Sequence, residues 1–475
     1  MSVNLEYALH YALEHREEFL SDLKELIRVP SISNSPDHVT DMRRTAERLA
    51  TALRELGCRD ARLLPTAGAP VVYGDLRVPD ARSTLLVYSH YDVQPAEDEE
   101  AWDSPPFEPQ IRGDELFGRG SSDMKGQIVA LLAAVRALQA HDALGVNLKF
   151  MFEGEEEIGS PSLTACMTEH AELLLSDFAL NLDVGFLGPD QPTISYGLRG
   201  IASFEIFVTG PSQDLHSGTF GGAVHNPALV LATMLAGLFD ENGVIQLPGY
   251  YDSVLPMDAE ERDKLNQAPM DDAYYLEQTG VPQLWGENGF TPIERVAGRP
   301  TCEINGMQAG YLGEGGKTII PSKASVKITT RLVPNQEPEQ VHKQLEIYLQ
   351  SCMPDTVTWR LAYYGGASPY LADISHPEVD AFAEAVSTTF GENILYLRDG
   401  GSVGAAIMMK DVLGVDSILS GFGLPTDNIH APNEHLHLPT WYRGIDALIH
   451  YLSNEKRHWR RRRKAFLDLE PPELT

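Results

Sequence analysis

The sequence predicts an α/β protein with a mostly parallel sheet covered by helices on both faces, and an α+β unit inserted into it. Three short apolar runs, at 85–88, 148–152 and 178–182, have the length and composition of buried strands. Helical patterns lie before and between them, and this alternation is typical of parallel sheets. At 475 residues the chain is too long for one simple core, so we expect two or three domains.

Two helices of the first domain can be read from their apolar residues. The run 124–138 is apolar enough to be a buried helix. An earlier helix is predicted to end at Gly57, because glycine favours the conformation that follows a helix. Its apolar residues repeat at helical spacing: Met42, Ala46, Leu49, Leu53 and Leu56.

The pattern changes from about Gly200. Alternating strands are expected at 201–208 and 324–332, a helix at 337–349, and a long polar insert rich in Asp and Pro at 246–300. The chain then returns to the first domain near Ser368. The predicted organisation is a first domain in two parts, 1–198 and 367–475, with an inserted unit at 199–366.

Composition excludes several classes of protein. The formal charge of −31 opposes binding to nucleic acid and to anionic membranes, and 43% hydrophobic residues is ordinary for a soluble protein. The sequence shows neither a long apolar span nor a secretory leader, so we expect a cytoplasmic protein. The four cysteines lack C-x-x-C spacing, which argues against a thiolate metal site.

A dense basic stretch at 456–464 departs from this acidic character. We interpret it as a solvated helix end that offsets the acidic body. An interaction tail is the alternative.

Five polar residues stand just past apolar, strand-like runs. The carboxyl ends of parallel strands converge on one crevice, so residues distant in sequence become neighbours there. Imidazole and carboxylate suit zinc and its borderline neighbours, and five such groups with one shared carboxylate suffice for two ions. A lone histidine is more often structural, but the joint occurrence indicates a two-metal hydrolase. The five are His90, Asp123, Glu157, Asp183 and His430.

The motifs around these residues resemble the M20 co-catalytic metallopeptidases, from RVPSIS at Arg28 to the helix after His430. The dipeptidase branch, which includes carnosinase and carboxypeptidase G-like enzymes, is the most similar, on EGEEEIGS, YGLRG, HSGTFGG and TTRLVPN. The resemblance implies two divalent ions, the five ligands above, and an inserted unit that acts as a lid and dimerisation domain. Zinc is expected, with manganese or cobalt possible.

Two carboxylates near the ligands have expected roles of their own. By the family's register Glu157 ligates metal and Glu156 is the general base, although a slip of one residue, to Glu155 and Glu156, stays open. Asp92 lies two residues after His90 and could fix its tautomer. Asp123 precedes a helix and could be a simple N-cap, but its two oxygens also suit a bridging ligand.

Substrate-binding candidates come from the later motifs. His216 is expected to stabilise the oxyanion, entering the partner's site in dimeric members. Arg331 is a candidate clamp for a free carboxylate, and the loop at Gly400, Gly401 and Ser402 could hold the same anion through its backbone. Asp399 and Val403-Gly404 depart from the family's usual Glu and Ile-Pro, and a plain turn is the alternative there.

The predicted function is hydrolysis of dipeptides or short peptides that bear a free C-terminal carboxylate. An N-acyl amino acid amidohydrolase on the same scaffold is the alternative, because the same ligands would serve both reactions. A non-catalytic binding protein is a further alternative, but no ligand or base is missing from the sequence. Peptide substrate and a second copy of the chain are the expected partners.

Overall fold

The computed structural model describes residues 2–79, 81, 83–96, 99–399 and 404–453. Its strands are β1 Arg62–Leu64, β2 Val71–Leu76, β3 Thr84–His90, β4 Gln110–Arg112, β5 Glu115–Phe117, β6 Asn147–Glu153, β7 Phe178–Asn181, β8 Thr193–Leu198, β9 Gly200–Thr209, β10 Leu215–His216, β11 Thr301–Ala309, β12 Ile319–Ile320, β13 Lys323–Leu332, β14 Thr358–Ala367, β15 Tyr370–Leu371, β16 Leu395–Asp399, β17 Ser417–Leu419 and β18 His435–His437.

The α-helices of the same residues alternate with these strands. They are α1 Val3–Glu14, α2 Arg16–Ile27, α3 Val39–Glu55, α4 Lys125–Ala140, α5 Leu163–Glu169, α6 Ala171–Leu174, α7 Ser217–Phe220, α8 Pro227–Ala236, α9 Ala259–Leu265, α10 Asp272–Thr279, α11 Pro292–Gly298, α12 Pro338–Cys352, α13 Pro377–Phe390, α14 Gly404–Met408 and α15 Leu438–Ser453.

A nine-stranded sheet forms the larger unit, in the order β1-β2-β6-β3-β7-β17-β8-β15, with β16 paired to β8. Strand β3 is parallel to β6 and β7, and β7 is parallel to β17. Strands β1, β2 and β15 pair antiparallel near the edges. The predicted fold class is therefore confirmed, with the parallel pairs at the centre of the sheet.

The central strands are buried on both faces because helices cover both. Every residue of β6 is buried, as is every residue of β3 after Thr84. Helices α1 to α4, α13 and α15 pack on one face, and α5, α6 and α14 pack on the other. Helix α3 buries Met42, Ala46, Leu49 and Leu53, as its spacing predicts, and Gly57 follows it with φ +78°.

A separate four-stranded antiparallel sheet has the order β11-β13-β9-β14. Strand β9 alternates strictly between buried and half-buried residues, which shows that one face is packed and the other is open. Helices α8 and α12 cover the packed face. The chain rejoins the large sheet at β15, which pairs with β8. We propose that 199–366 form the inserted domain between catalytic parts 1–198 and 367–475.

The polar insert at 246–300 is ordered and helical, although the sequence indicated no elements there. Its helices α9 and α11 pack on β16, where Leu397 meets Leu265, Ile293 and Ala297. Glu261 of α9 forms an ion pair with the buried Arg398 of β16. The insert is therefore attached to the catalytic sheet as well as to the inserted domain.

Within the described part of the chain, no helix has the length and apolar character needed to span a membrane. Cys58, Cys166 and Cys302 are buried and Cys352 is exposed, all as free thiols. The basic stretch at 456–464 lies outside the described residues, so its predicted role is not tested.

Candidate active site

The candidate site lies where β3, β6 and β7 end, and these strands are parallel neighbours in the sheet. His90 is the last residue of β3, Glu156 and Glu157 follow β6, and Asp183 follows β7. Asp123 comes from the loop before α4 and His430 from the loop before β18. The topology therefore brings together all five residues predicted as metal ligands.

Asp123 lies between the two histidines, and each of its oxygens faces a different ring. His90 Nε2 is 3.0 Å from Asp123 Oδ1, and His430 Nε2 is 2.9 Å from Asp123 Oδ2. The helix that follows has Met124 as its N-cap, so Asp123 does not cap it. This arrangement is the one expected of a carboxylate that bridges two cations.

Each histidine also contacts a second carboxylate. His90 Nε2 is 3.2 Å from Asp183 Oδ1, and His430 Nε2 is 3.1 Å from Glu157 Oε2. Asp183 is oriented by its backbone N–H, which donates to Asn181 Oδ1 at 2.9 Å. The site therefore consists of two halves that share Asp123.

Glu155 is turned away from this cluster. Its carboxylate accepts hydrogen bonds from the backbone N–H groups of Ala69 and Ser162, at 3.1 and 3.2 Å. A side chain at position 68 would displace the same carboxylate, so Gly68 leaves room for it. The geometry thus favours the register in which Glu156 and Glu157 face the site.

Asp92 connects the first histidine to the glutamates. The backbone carbonyl of Asp92 lies 3.1 Å from His90 Nδ1 and its carboxylate Oδ1 lies 3.4 Å from the same nitrogen, so Asp92 can fix the imidazole tautomer through both groups. The same carboxylate accepts from the backbone N–H groups of Glu156 and Glu157, at 3.3 and 3.1 Å. Sequence analysis predicted the first contact and missed the second. Asp92 therefore positions the ligand and the candidate base together.

Glu434 is a buried residue that sequence analysis missed. Its carboxylate accepts from the backbone N–H groups of Gly120, Ser122 and Asp123 at 3.0 to 3.1 Å, and from Arg119 Nη1 at 2.8 Å. It therefore fixes the loop that presents Asp123. The only sequence signal is that this acidic residue lies four positions after His430 and directly before the short strand β18.

Gln94 also escaped the sequence analysis. Its Nε2 donates to Glu157 Oε2 at 2.9 Å and to the Glu157 carbonyl at 3.3 Å. One oxygen of Glu157 thus has an amide donor on one side and His430 on the other. These contacts limit the orientations that the Glu157 carboxylate can adopt.

The protonation of the cluster reflects its crowded carboxylates. Burial alone would lower the pKa of His90, but the charge of Asp183 and hydrogen bonds with neighbouring carboxylates raise it well above its ordinary value. Hydrogen bonds with Asp123 and Glu157 raise the pKa of His430 to about 10. Burial raises the pKa of Glu156 to about 8 and that of Asp183 to about 6. Protons on the imidazoles balance the carboxylate charge here.

The donor set fits divalent cations. Ligand atoms of His90, Asp123 and Glu157 lie within 4.8 Å of one another, and so do those of His90, Glu156 and Asp183. Side chains of His90 and Glu157 are only 1% and 4% exposed, so water cannot compensate their charges fully. Cations in place of the imidazole protons would satisfy the same oxygens.

His216, predicted to be catalytic, and Arg331, predicted to bind substrate, lie outside this cluster. His216 is exposed on the inserted domain, and its Nδ1 accepts from the Gly218 N–H at 3.0 Å. Arg331 is half-buried in β13, opposite Ile201. Gly401 and Ser402 lie outside the described residues. The roles predicted for all four residues stay predictions.

Comparison with known proteins identifies the family. A model of Peptidase family M20/M25/M40 matches residues 86–454. Human Beta-Ala-His dipeptidase is 30% identical over 462 residues, which are 93% of this chain and 90% of the relative. The Cys-Gly metallodipeptidase dug1 of Schizosaccharomyces pombe is 28% identical over 473 residues, which are 95% and 98% of the two chains.

A solved structure shows the same fold. The M20 family metallo-carboxypeptidase Sso-CP2 from Sulfolobus solfataricus superposes with a TM-score of 0.78 at 31% identity, covering 92% of this chain and 98% of that chain. The present chain therefore belongs to the M20 peptidase family and is an enzyme of the metallopeptidase class.

Proposed function

We propose that this enzyme is a two-metal dipeptidase, which hydrolyses dipeptides or short peptides with a free C-terminal carboxylate. The observation that carries the proposal is Asp123, whose two oxygens face His90 and His430 separately. Relatives named as dipeptidases, aligned over nearly the whole chain, support the choice of substrate.

The contacts define two sets of ligands. His90, Asp183 and Asp123 Oδ1 would hold one cation, and His430, Glu157 and Asp123 Oδ2 would hold the other. Imidazole and carboxylate donors favour zinc, and manganese or cobalt would also suit them. Bound cations would lower the pKa of a water towards about 7 and polarise the scissile carbonyl.

Glu156 has the position and freedom to move a proton. The backbone N–H of Glu156 donates to Asp92. The carboxylate of Glu156 makes no hydrogen bond to a side chain of the described residues. It would take the proton of the attacking water and pass it to the leaving amine nitrogen. Asp92 would act on this step only through the positions of His90 and Glu156.

The inserted domain and the second catalytic part would supply the remaining groups. Arg331 would bind the substrate carboxylate, and Gly401 and Ser402 are predicted to contribute backbone donors. His216 would donate to the oxyanion of a partner subunit's site, which requires a homodimer. A cytoplasmic location remains a prediction from the sequence.

A substrate panel tests the proposal directly. The metal-loaded protein should cleave dipeptides, with β-Ala-His and Cys-Gly among them, at a kcat/KM well above that for N-acetyl and N-succinyl amino acids. Glu156→Gln provides the control for contaminating peptidases, because it should lower every genuine activity by the same large factor and leave a contaminant's activity unchanged. Preference for the N-acyl compounds would reject dipeptidase activity in favour of the amidohydrolase alternative.

A further inference from the structure

Arg199 lies at the junction of the two large sheets. It connects β8 to β9, and the residues on either side of it pair with different strands. Leu198 pairs with Asp399, the last residue of β16, and Gly200 pairs with Leu332 of β13. Arg199 is therefore adjacent to both the catalytic sheet and the strand that carries the predicted carboxylate clamp.

Arg331 projects from the open face of the inserted sheet. Arg331 pairs with Ile201 of the neighbouring strand β9 and with Thr301 of the other neighbouring strand, β11. Residues that pair directly across strands project from the same face of the sheet. Its neighbours Thr330 and Leu332 are buried on the face that α8 and α12 cover. The guanidinium of Arg331 therefore lies on the face opposite to that core, and Arg199 precedes its paired residue Ile201 by two positions.

The Arg199 guanidinium is short of acceptors. Its Nε atom is buried and has no hydrogen-bond partner among the described residues. Burial and then the positive charge of Arg331 lower the pKa of Arg199 to about 10, against the effect of Asp399 and Glu303. Buried donors are normally satisfied. Two neighbouring guanidiniums with an unused donor favour an anionic ligand.

Tyr275 brings a third donor to this place from the polar insert. Its hydroxyl is also buried without a partner in the described part of the chain. Burial raises the pKa of the Tyr275 hydroxyl, and the positive charge of Arg199 opposes that rise, so the two groups interact. The insert is anchored beside them, because Glu261 contacts both Arg398 and the Tyr196 hydroxyl.

We propose that Arg199 and Tyr275 complete, with Arg331, a pocket for the free carboxylate of the substrate. The inference rests on the proposed function and deepens it, since it assigns the preference for a free acid to helix α10 as well as to the sheet. Arg199 would donate through Nε–H and one terminal N–H to the two carboxylate oxygens. The Tyr275 hydroxyl would donate to one of them.

The test compares a dipeptide with its C-terminal amide. Arg199→Met should raise KM for the free dipeptide by about 10- to 100-fold, the loss expected for a hydrogen bond to a charged group, with little change in kcat. Tyr275→Phe should raise the same KM by a few-fold. Neither substitution should alter kinetics on the amide, because the amide lacks the charge that these groups bind.

Matched variants control for indirect effects. Arg59→Met and Tyr274→Phe change exposed residues of the same types, and both should behave as wild type. Arg199→Lys keeps the charge without the planar fork and should show an intermediate KM, so it replaces Arg199→Met if that variant does not fold. Equal losses on acid and amide, or unchanged KM in Arg199→Lys and Tyr275→Phe, would overturn the proposal.

A failure of the proposed function would look different. If wild type cleaves N-acyl amino acids in place of dipeptides, the same comparison is made between those acids and their amides. If it cleaves neither, thermal stabilisation by N-acetyl-L-alanine is compared with stabilisation by N-acetyl-L-alanine amide. Acid-specific stabilisation that disappears in Arg199→Met would support the pocket, and stabilisation that is equal for acid and amide would reject it.

Discussion

The ligand loops of the large sheet and the His216 loop of the inserted domain are held in different ways. Asp92 and Glu434 fix the ligand loops through backbone hydrogen bonds that join distant parts of the chain. The His216 loop is fixed within its own domain, by the Ser217 N–H to the Thr318 carbonyl and the Gly218 N–H to His216. The proposed metal site can therefore form within one chain. The position of His216, in contrast, depends on where its whole domain lies.

The largest expected effect separates the two glutamates of the ligand loops. Glu156→Gln should lower kcat by about 10²–10⁴ and keep both metals, because it removes a proton acceptor. Glu157→Gln should lose metal, because it removes a ligand that also contacts His430. Metal analysis and steady-state kinetics of both variants provide the measurement. Metal loss in Glu156→Gln with retention in Glu157→Gln would reverse the two roles.

The second prediction concerns His216. His216→Ala should lower kcat by about 10²–10³, the usual effect of losing an oxyanion donor, without loss of metal. Mixing this variant with Glu156→Gln under subunit exchange should restore activity, because each heterodimer then contains one complete site. Heterodimers that form but are no more active than the parents would show that His216 does not act across subunits.

Glu434 tests whether the ligand loop depends on its buried support. Glu434→Gln should weaken metal binding by about 10- to 100-fold, since it places amide hydrogens against backbone donors and leaves Arg119 uncompensated. The control is Glu115→Gln, whose carboxylate is 39% exposed beside His435. Titration against a chelator measures the affinity, and thermal unfolding checks the fold. Metal affinity that equals that of the control would remove Glu434 from this role.

The smallest effect is a pH dependence of metal binding. The metal-free pKa of His430 is about 10, so the ring is protonated at neutral pH and must release its proton to a cation. Metal affinity should therefore rise with pH, by about tenfold per unit for each proton released, and fall as the solution is acidified. Titration in buffers of different ionisation enthalpy counts the protons. Binding without proton release would contradict the assignment of His430 as a ligand.

The pattern of apolar residues in the sequence predicted the strands and helices that depend on nearby residues. The apolar runs became β3, β6 and β7, and the ends of those strands predicted which side chains would meet. The choice among Glu155, Glu156 and Glu157 could not be settled in this way. It depends on Ala69 and Ser162 holding Glu155, and on Asp92 holding the other two, and such contacts between distant loops leave no periodic signal.

The polar insert shows that secondary structure, too, can escape prediction from a local sequence pattern. Its composition resembled a loop, yet it folds because Leu265, Ile293 and Ala297 find an apolar partner in Leu397 of β16. A few apolar residues spread among charged ones are too sparse to predict helices. Their packing partner lies a hundred positions or so along the chain, beyond the reach of any local pattern.

Lys125 connects the N-terminal helices to the loop that carries Asp123. Its buried ammonium donates to the carbonyl oxygens of Val29 and Leu26, at 2.7 and 3.2 Å, and it lies two residues after Asp123. The carbonyl groups at and just after the end of α2 therefore fix the start of α4, and with it the position of Asp123. Proteolytic removal of the chain up to and including Val29 would leave every candidate ligand in place, but it would take away both acceptors that fix the start of α4. We expect such a truncated enzyme to lose metal before it loses its sheet.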